Sequence, residues 1–362
     1  MNNAANNAAN YTTASDAFVG WSDSVMTGKP PIFYPISDTG NLSRIEIGPG
    51  LVTLLGGAPG AGKTAFTMQA TFDALRINRE LRAMICNIEM TPAVLLDRQL
   101  SRLSGIDLTE IRYRRLGAEH AERLKFGMDS LAAIADRLAF VRAPFDLLST
   151  IRAAKAFGAN MVVLDYIQRI PPPPEPGERE GKRESIDANM NYLRQLADEG
   201  MAVVVVSAVS RGKDSKGRTS YAGDSLNLAS FRESSELEFG ADDAFILTTN
   251  EKDANEITLK HLKARHTEAR NVVMHFNRKC QQFTEVGATN AATRKPRSVK
   301  PLADSTPVNR GGKVQSDLLA AWSKMSTAAG LPGVPAPSAD IMATLAAEWD
   351  ATEPSADDRG AA

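Results

Sequence analysis

The sequence predicts an α/β protein with a mostly parallel sheet, helices on both faces, and antiparallel strands at one edge. Three observations lead there. Between about residues 45 and 285, strand-length apolar runs alternate with helix-length runs, the pattern of repeated βαβ units. The strand runs are continuously apolar rather than alternating, as in strands covered on both faces. A glycine-rich stretch, Gly57 to Gly62, joins the first apolar run to a helical one, which is the strand–loop–helix setting of a phosphate-binding loop.

In chain order, the strands are expected over 51–56, 83–88, 138–143, 160–165, 202–208 and 244–249. The helices between them are expected at Lys63–Ile77, Thr91–Leu103, Ala118–Asp136, Asp146–Phe157 and Glu184–Asp198. After Thr249, the segments ITLKHLKAR, NVVMHFN and QQFTEV read as the antiparallel strands.

Ahead of this region, residues 1–14 are an Asn/Ala-rich leader expected to be disordered. Phe18, Val19, Trp21, Val25 and Met26 are spaced as one apolar stripe on a short helix. Ser15 or Asp16 is its expected cap, and Pro30 and Pro31 stop it. Such a helix needs a covering surface, either on its own domain or on a neighbouring subunit. Residues 286–362, rich in Ala, Thr, Pro, Ser and Gly, are expected to be a mostly disordered tail. Two Trp-bearing stretches in it, Ser316–Ala328 and Ser338–Trp349, read as short helices, either frayed or folding on a partner. The expected division is therefore 1–34, 35–285 and 286–362.

The chain has 362 residues, with 42 Lys and Arg against 43 Asp and Glu. This excludes a uniformly basic nucleic-acid coat but not local basic patches. Segments differ in charge. Residues 277–300 carry net +5, residues 301–362 net −4, and 210–218 hold four bases and one acid. No apolar run approaches membrane-spanning length, so no membrane partner is expected. The N-terminus lacks the basic and apolar regions of a signal peptide. Two cysteines, Cys86 and Cys280, make no disulfide framework, and a reducing cytoplasm is the expected setting.

The strongest motif is Gly57-Ala58-Pro59-Gly60-Ala61-Gly62-Lys63-Thr64, a full G-x-x-x-x-G-K-[ST]. Its glycines let backbone N–H groups turn inward around phosphate oxygens at a helix N-terminus. Lys63 is placed to reach the β- and γ-phosphates, and Thr64 to hold Mg²⁺. With Ala65 the stretch 57–65 is the candidate ATP site. A second signal is Met161-Val162-Val163-Leu164-Asp165, an apolar strand ending in a carboxylate, suited to Mg²⁺ beside the loop. Glu89 ends the preceding strand run. It either contacts the attacking water as a base or caps the helix beginning near Thr91.

Taken together, these segments resemble the C-terminal ATPase domain of the DnaB-type replicative helicases, a RecA-like fold, over about residues 35–285. Asn87-Ile88-Glu89-Met90 is similar to the family's S-L-E-M, Leu164-Asp165-Tyr166-Ile167-Gln168 to I-D-Y-L-Q, and Ser207-Ala208-Val209-Ser210-Arg211 to S-Q-L-N-R. Phe231-Arg232-Glu233-Ser234-Ser235 resembles L-R-E-S-G, and Lys263-Ala264-Arg265 resembles K-x-R.

The resemblance implies an ATP- and Mg²⁺-dependent hexameric helicase encircling single-stranded DNA during replication and moving five-prime to three-prime. It implies Glu89 as catalytic base. It also implies Arg265, assisted by Lys263, as a finger reaching the neighbouring subunit's nucleotide. Arg211, Lys213, Lys216 and Arg218 fit contacts to the DNA backbone, with Arg232 and Glu233 on a second DNA-facing loop. The run 171–185 is either a mobile loop at the channel or a solvated loop.

Three departures stand out. The 34 residues before the ATPase segment hold no counterpart of the family's helical N-terminal domain, which leaves primase coupling open and the tail as the expected route to a replication partner. Ala208 stands where the family has Gln, and Ser235 where it has Gly. A RecA-like DNA-dependent ATPase acting in recombination, repair or helicase loading, without unwinding, is the alternative reading.

Overall fold

The computed structural model describes residues 12–28, 30–172, 182–210, 212–213, 219–220, 226–231, 235–250 and 252–287. The chain forms two units, residues 32–293 and residues 1–31 with 294–362. Of the second unit, residues 12–28, 30 and 31 are described, and they hold helix α1, Ala14–Met26. Its N-cap is Thr13 rather than Ser15 or Asp16. The Thr13 hydroxyl oxygen accepts the Asp16 N–H at 3.1 Å, and the hydroxyl itself donates to the Asp16 carboxylate at 2.6 Å. That reciprocal pair, three residues apart, outcompetes a cap one turn further in. Phe18 and Trp21 meet at 5.5 Å between ring centres, and no residue of the helix is buried. Both expected tail helices lie outside the described residues.

The unit 32–293 is built on one nine-stranded sheet. In chain order its strands are β1 Val52–Gly57, β2 Ala83–Asn87, β3 Leu138–Phe140, β4 Met161–Asp165, β5 Ala202–Val206, β8 Asp243–Thr249, β9 Glu256–Ala264, β10 Val272–Asn277 and β11 Gln282–Glu285. Two further strands, β6 Gly212–Lys213 and β7 Thr219–Ser220, form a separate antiparallel pair. The order across the large sheet is β11-β10-β9-β8-β1-β5-β4-β2-β3. From β3 to β8 all pairs are parallel, and from β8 to β11 all are antiparallel, as expected from the sequence.

The main helices are α2 Lys63–Ile77, α3 Pro92–Ser104, α5 Ala121–Ala132, α6 Leu147–Phe157 and α7 Lys182–Asp198. Two short ones, α4 Leu108–Arg112 and α8 Ser235–Gly240, have no counterpart among the expected helices. Successive strand residues point to opposite faces, and the core divides accordingly. Leu55, Val163 and Val204 pack on one side with Phe66, Met68, Phe72 and Leu75 of α2. Leu54, Val162, Val203 and Val205 pack on the other with Leu147 of α6 and Leu193 and Leu196 of α7. Burying each large side chain contributes about 1.5–3 kcal/mol, which explains why β4 ahead of Asp165 and the whole of β5 are apolar, while β1 carries the buried Thr53.

Two boundaries differ from expectation for identifiable reasons. The helix expected over Ala118–Asp136 is broken into α5 and flanking 3₁₀ turns at Ala118–His120 and Ala135–Arg137. The Arg137 guanidinium donates to the Leu75, Asn78 and Leu81 carbonyls, and this tertiary grip takes the chain off the helical path. The strand expected over 138–143 stops at Phe140, although the Val141 N–H still reaches Ile85 O. Pro144 has no N–H with which to extend the ladder.

Cys86 is fully buried, and burial pushes its thiol up to about 11. Relative to an ordinary thiol near 9, the thiolate population at neutral pH falls about a hundredfold. The native protein is expected to leave Cys86 unalkylated by iodoacetamide at pH 8 over a period that fully labels the unfolded chain. Mass spectrometry of the Cys86 peptide measures this, and rapid native labelling would contradict the burial. No helix among the described residues is long and apolar enough to cross a membrane.

Candidate nucleotide-binding site

Strand β1 delivers the loop 57–62 to the carboxyl edge of the sheet, and Lys63 opens α2. Gly62 is the N-cap of α2 in the left-handed region, φ +90°. A Cβ there would lie 2.8 Å from the Phe283 ring and 3.0 Å from Phe276, so both conformation and space demand glycine. The two rings stack at 4.1 Å, and Phe66 meets Phe283 edge-on at 5.5 Å. Gln69 of α2 exchanges two hydrogen bonds with the Phe283 backbone. The antiparallel edge is therefore the floor beneath the loop. Arg278, on the turn after β10, donates to Gly60 O at 3.0 Å and to Ala254 O at 2.8 Å.

Lys63 Nζ donates to Gly57 O at 2.8 Å and Ala58 O at 3.2 Å. Burial lowers the pKa of its ammonium, while Asp165 and Glu89 pull it back up. Asp165 ends β4, is 3% exposed, and has its carboxyl raised by burial. The Thr64 hydroxyl and the positive charge of Lys63 offset part of that rise. Arg98 of α3 acts in the same direction, and its buried Nε has no hydrogen-bond partner among the described residues. Glu89 is exposed just beyond β2. Helix α3 takes Thr91 as its N-cap residue, with no side-chain hydrogen bond at the cap. Lys63, Thr64, Asp165 and Glu89 thus come together at one edge of the sheet.

This cradle suits a phosphate chain with magnesium. The glycine turn leaves room where a side chain would collide, and one hydroxyl beside one carboxylate is a hard-oxygen donor pair that leaves positions for water and phosphate. Thr64 and Asp165 would hold the ion. Beside them, the Gln168 side chain grips the end of β5. Its Oε1 accepts the Ala208 N–H, and its Nε2 donates to Ser207 Oγ and Ala208 O.

Lys263 and Arg265 lie elsewhere. Arg265 donates to Asp242 Oδ1 at 2.8 Å and to Phe239 O at 3.3 Å. Lys263 donates to the Glu238, Phe239 and Ala241 carbonyls. Asp242, 2% exposed, also accepts from Arg194 of α7 and from the Val52 N–H. This cluster sits at the start of β1, and the phosphate loop sits at its end. Five residues of strand separate them, about 16 Å. The pair therefore stands at the edge of the sheet opposite its own nucleotide loop.

Of the expected DNA contacts, Arg211, Lys216, Arg218, Arg232 and Glu233 lie outside the described residues. Lys213 is described as backbone in β6, paired with Thr219 of β7. The bases of the two stretches are joined, because the Ser210 N–H and hydroxyl both donate to Ser230 O. Phe231, 1% exposed, packs against Gly56, where an added Cβ would lie 2.5 Å from its ring.

The sequence model of the DnaB-like helicase C terminal domain matches residues 47–285. The chain belongs to this family. No curated protein matches the sequence. Among solved structures, one described as the ATPase domain of G40P is similar at 17% identity and TM-score 0.65, covering 76% of this chain and 99% of that one. A structure of a DnaB-like replicative helicase and its interactions with primase is similar at 18% identity and TM-score 0.62, covering 76% of this chain and 67% of that one. These likenesses establish the RecA-like fold of the DnaB-like domain.

Sequence reasoning did not assign Asn87, Arg278 or Asp242 to this machinery. Asn87 stood within the DnaB-like S-L-E-M match, but its side-chain contacts depend on strand register that no local pattern reveals. Arg278 was legible only as one charge in a basic stretch.

Proposed function

We propose that the chain is an ATP-driven DNA helicase of DnaB type, working as a hexameric ring that translocates on single-stranded DNA during replication. The observation that carries this reading is the placement of the phosphate loop and the Lys263–Arg265 pair at opposite edges of one sheet. A finger so placed serves a neighbour's site rather than its own, so the complete catalytic centre requires at least two chains. Docking of the exposed apolar stripe of α1 on a neighbour, and a replication partner held by the tail, belong to the same proposal.

Within one site, backbone N–H groups of 60–64 hold the phosphates, and Lys63 leaves its carbonyl partners to pair with the β- and γ-oxygens. Thr64 and Asp165 would hold magnesium, which would offset the negative charge on those oxygens. Glu89 takes a proton from the attacking water. Arg265 of the adjoining chain meets the charge developing on the γ-phosphate. The Ser210–Ser230 junction ties the two DNA-facing stretches together, so they are expected to move as one.

Strand displacement on a forked DNA substrate, measured alongside ATP turnover, tests the proposal. The expected result is ATP-dependent unwinding, with closed rings in electron micrographs. Turnover and filaments without unwinding would instead identify the non-unwinding RecA-like ATPase.

A further inference from the structure

We infer that Asn87 is a positioning residue that sets the Asp165 carboxylate and the Glu89 backbone relative to each other. Asn87 ends β2, directly opposite Asp165 in the parallel ladder with β4. It is 7% exposed. Its Oδ1 accepts two backbone N–H groups, from Glu89 at 3.1 Å and Met90 at 2.8 Å. Only the oxygen end of a carboxamide can do this, so the orientation of the amide is fixed. Its Nδ2 must then be the donor to Asp165 Oδ2 at 2.8 Å. The Ile88 N–H also reaches Asp165 O at 3.3 Å.

One buried side chain therefore binds the carboxylate on the metal side and the turn that carries the base. Where S-L-E-M has a serine, a single hydroxyl has one proton and a shorter reach. A carboxamide supplies an acceptor for the turn and a separate donor for the carboxylate. The arrangement is that of an outer partner which orients a metal-binding carboxylate and, in this chain, also fixes the approach of the base.

This rests on the proposed roles of Asp165 and Glu89, and two readouts keep the claims separable. The first is the Mg²⁺ midpoint for binding a fluorescent, non-hydrolysable ATP analogue to the full chain. The second is kcat and KM for ATP. Asn87→Ala is expected to raise the Mg²⁺ midpoint about tenfold and to lower kcat about 10- to 100-fold, with KM for ATP at saturating Mg²⁺ within about twofold. Asn87→Ser, which keeps a hydroxyl for the turn, is expected to fall between the two and covers the case in which the alanine chain does not fold. An unchanged Mg²⁺ midpoint and kcat in either folded variant would overturn the inference. So would a loss of kcat that merely tracks the unfolded fraction in a thermal melt. If the parent chain shows no turnover, the proposed function fails, and the Mg²⁺ midpoint still decides the role of Asn87.

Discussion

Replacing Glu89 with Gln is expected to lower ATP turnover by about 10²- to 10⁴-fold, the range a positioned general base contributes, while ATP binding stays close to that of the parent chain. Gln keeps the size and polarity of the side chain and loses only its proton-accepting charge. Glu89 is exposed, and its charge acts on both Lys63 and Asp165, so it stands at the mouth of the cradle rather than in the core. The substitution leaves the backbone turn held by Asn87 intact. Single-turnover hydrolysis alongside equilibrium binding of ATP separates the two effects. Normal hydrolysis by the variant would remove Glu89 from the base role.

Arg265→Ala is expected to reduce turnover about a thousandfold, the lower end of the range for an arginine finger, with little loss of stability. Its side chain is 44% exposed, and Asp242 keeps Arg194 and the Val52 N–H as partners when it is removed. Because the finger stands at the sheet edge opposite its own loop, the defect should be complemented between chains. Lys63→Ala has a dead site and an intact finger, and Arg265→Ala the reverse. Mixing the two inactive variants is expected to recover part of the turnover. Failure of every mixing ratio to do so, with assembly shown by sedimentation, would refute a finger acting between subunits.

The residues at these sites were legible in the sequence to the extent that their information is local. The phosphate loop declares itself by spacing, and α2 runs over Lys63–Ile77 as expected because loop glycine and helix start are adjacent. The parallel strands were legible because double-sided burial leaves no alternative to continuous apolar residues. What could not be read depends on pairing across long separations. Asn87 and Asp165 are 78 positions apart, and Val52 and Asp242 are 190. Arg194 reads as a surface residue of an amphipathic helix until Asp242 is placed beside it. Helices α4 and α8 span five and six residues, too short to show a helical period, and packing rather than propensity sustains them. Arg137 ends a helix by reaching three carbonyls from another part of the chain, which no windowed pattern records.

The contact between Gly56 and Phe231 carries a consequence for divergence within the family. The aromatic ring occupies the volume that a side chain at 56 would need, so neither position is free to drift alone. A larger residue at 56 demands a smaller one at 231, and the two should covary across homologues more tightly than either does with its chain neighbours. Position 56 adjoins the first residue of the phosphate loop, and position 231 adjoins Arg232, proposed to contact DNA. Inheritance at this one contact therefore links the phosphate loop to the stretch proposed to contact DNA.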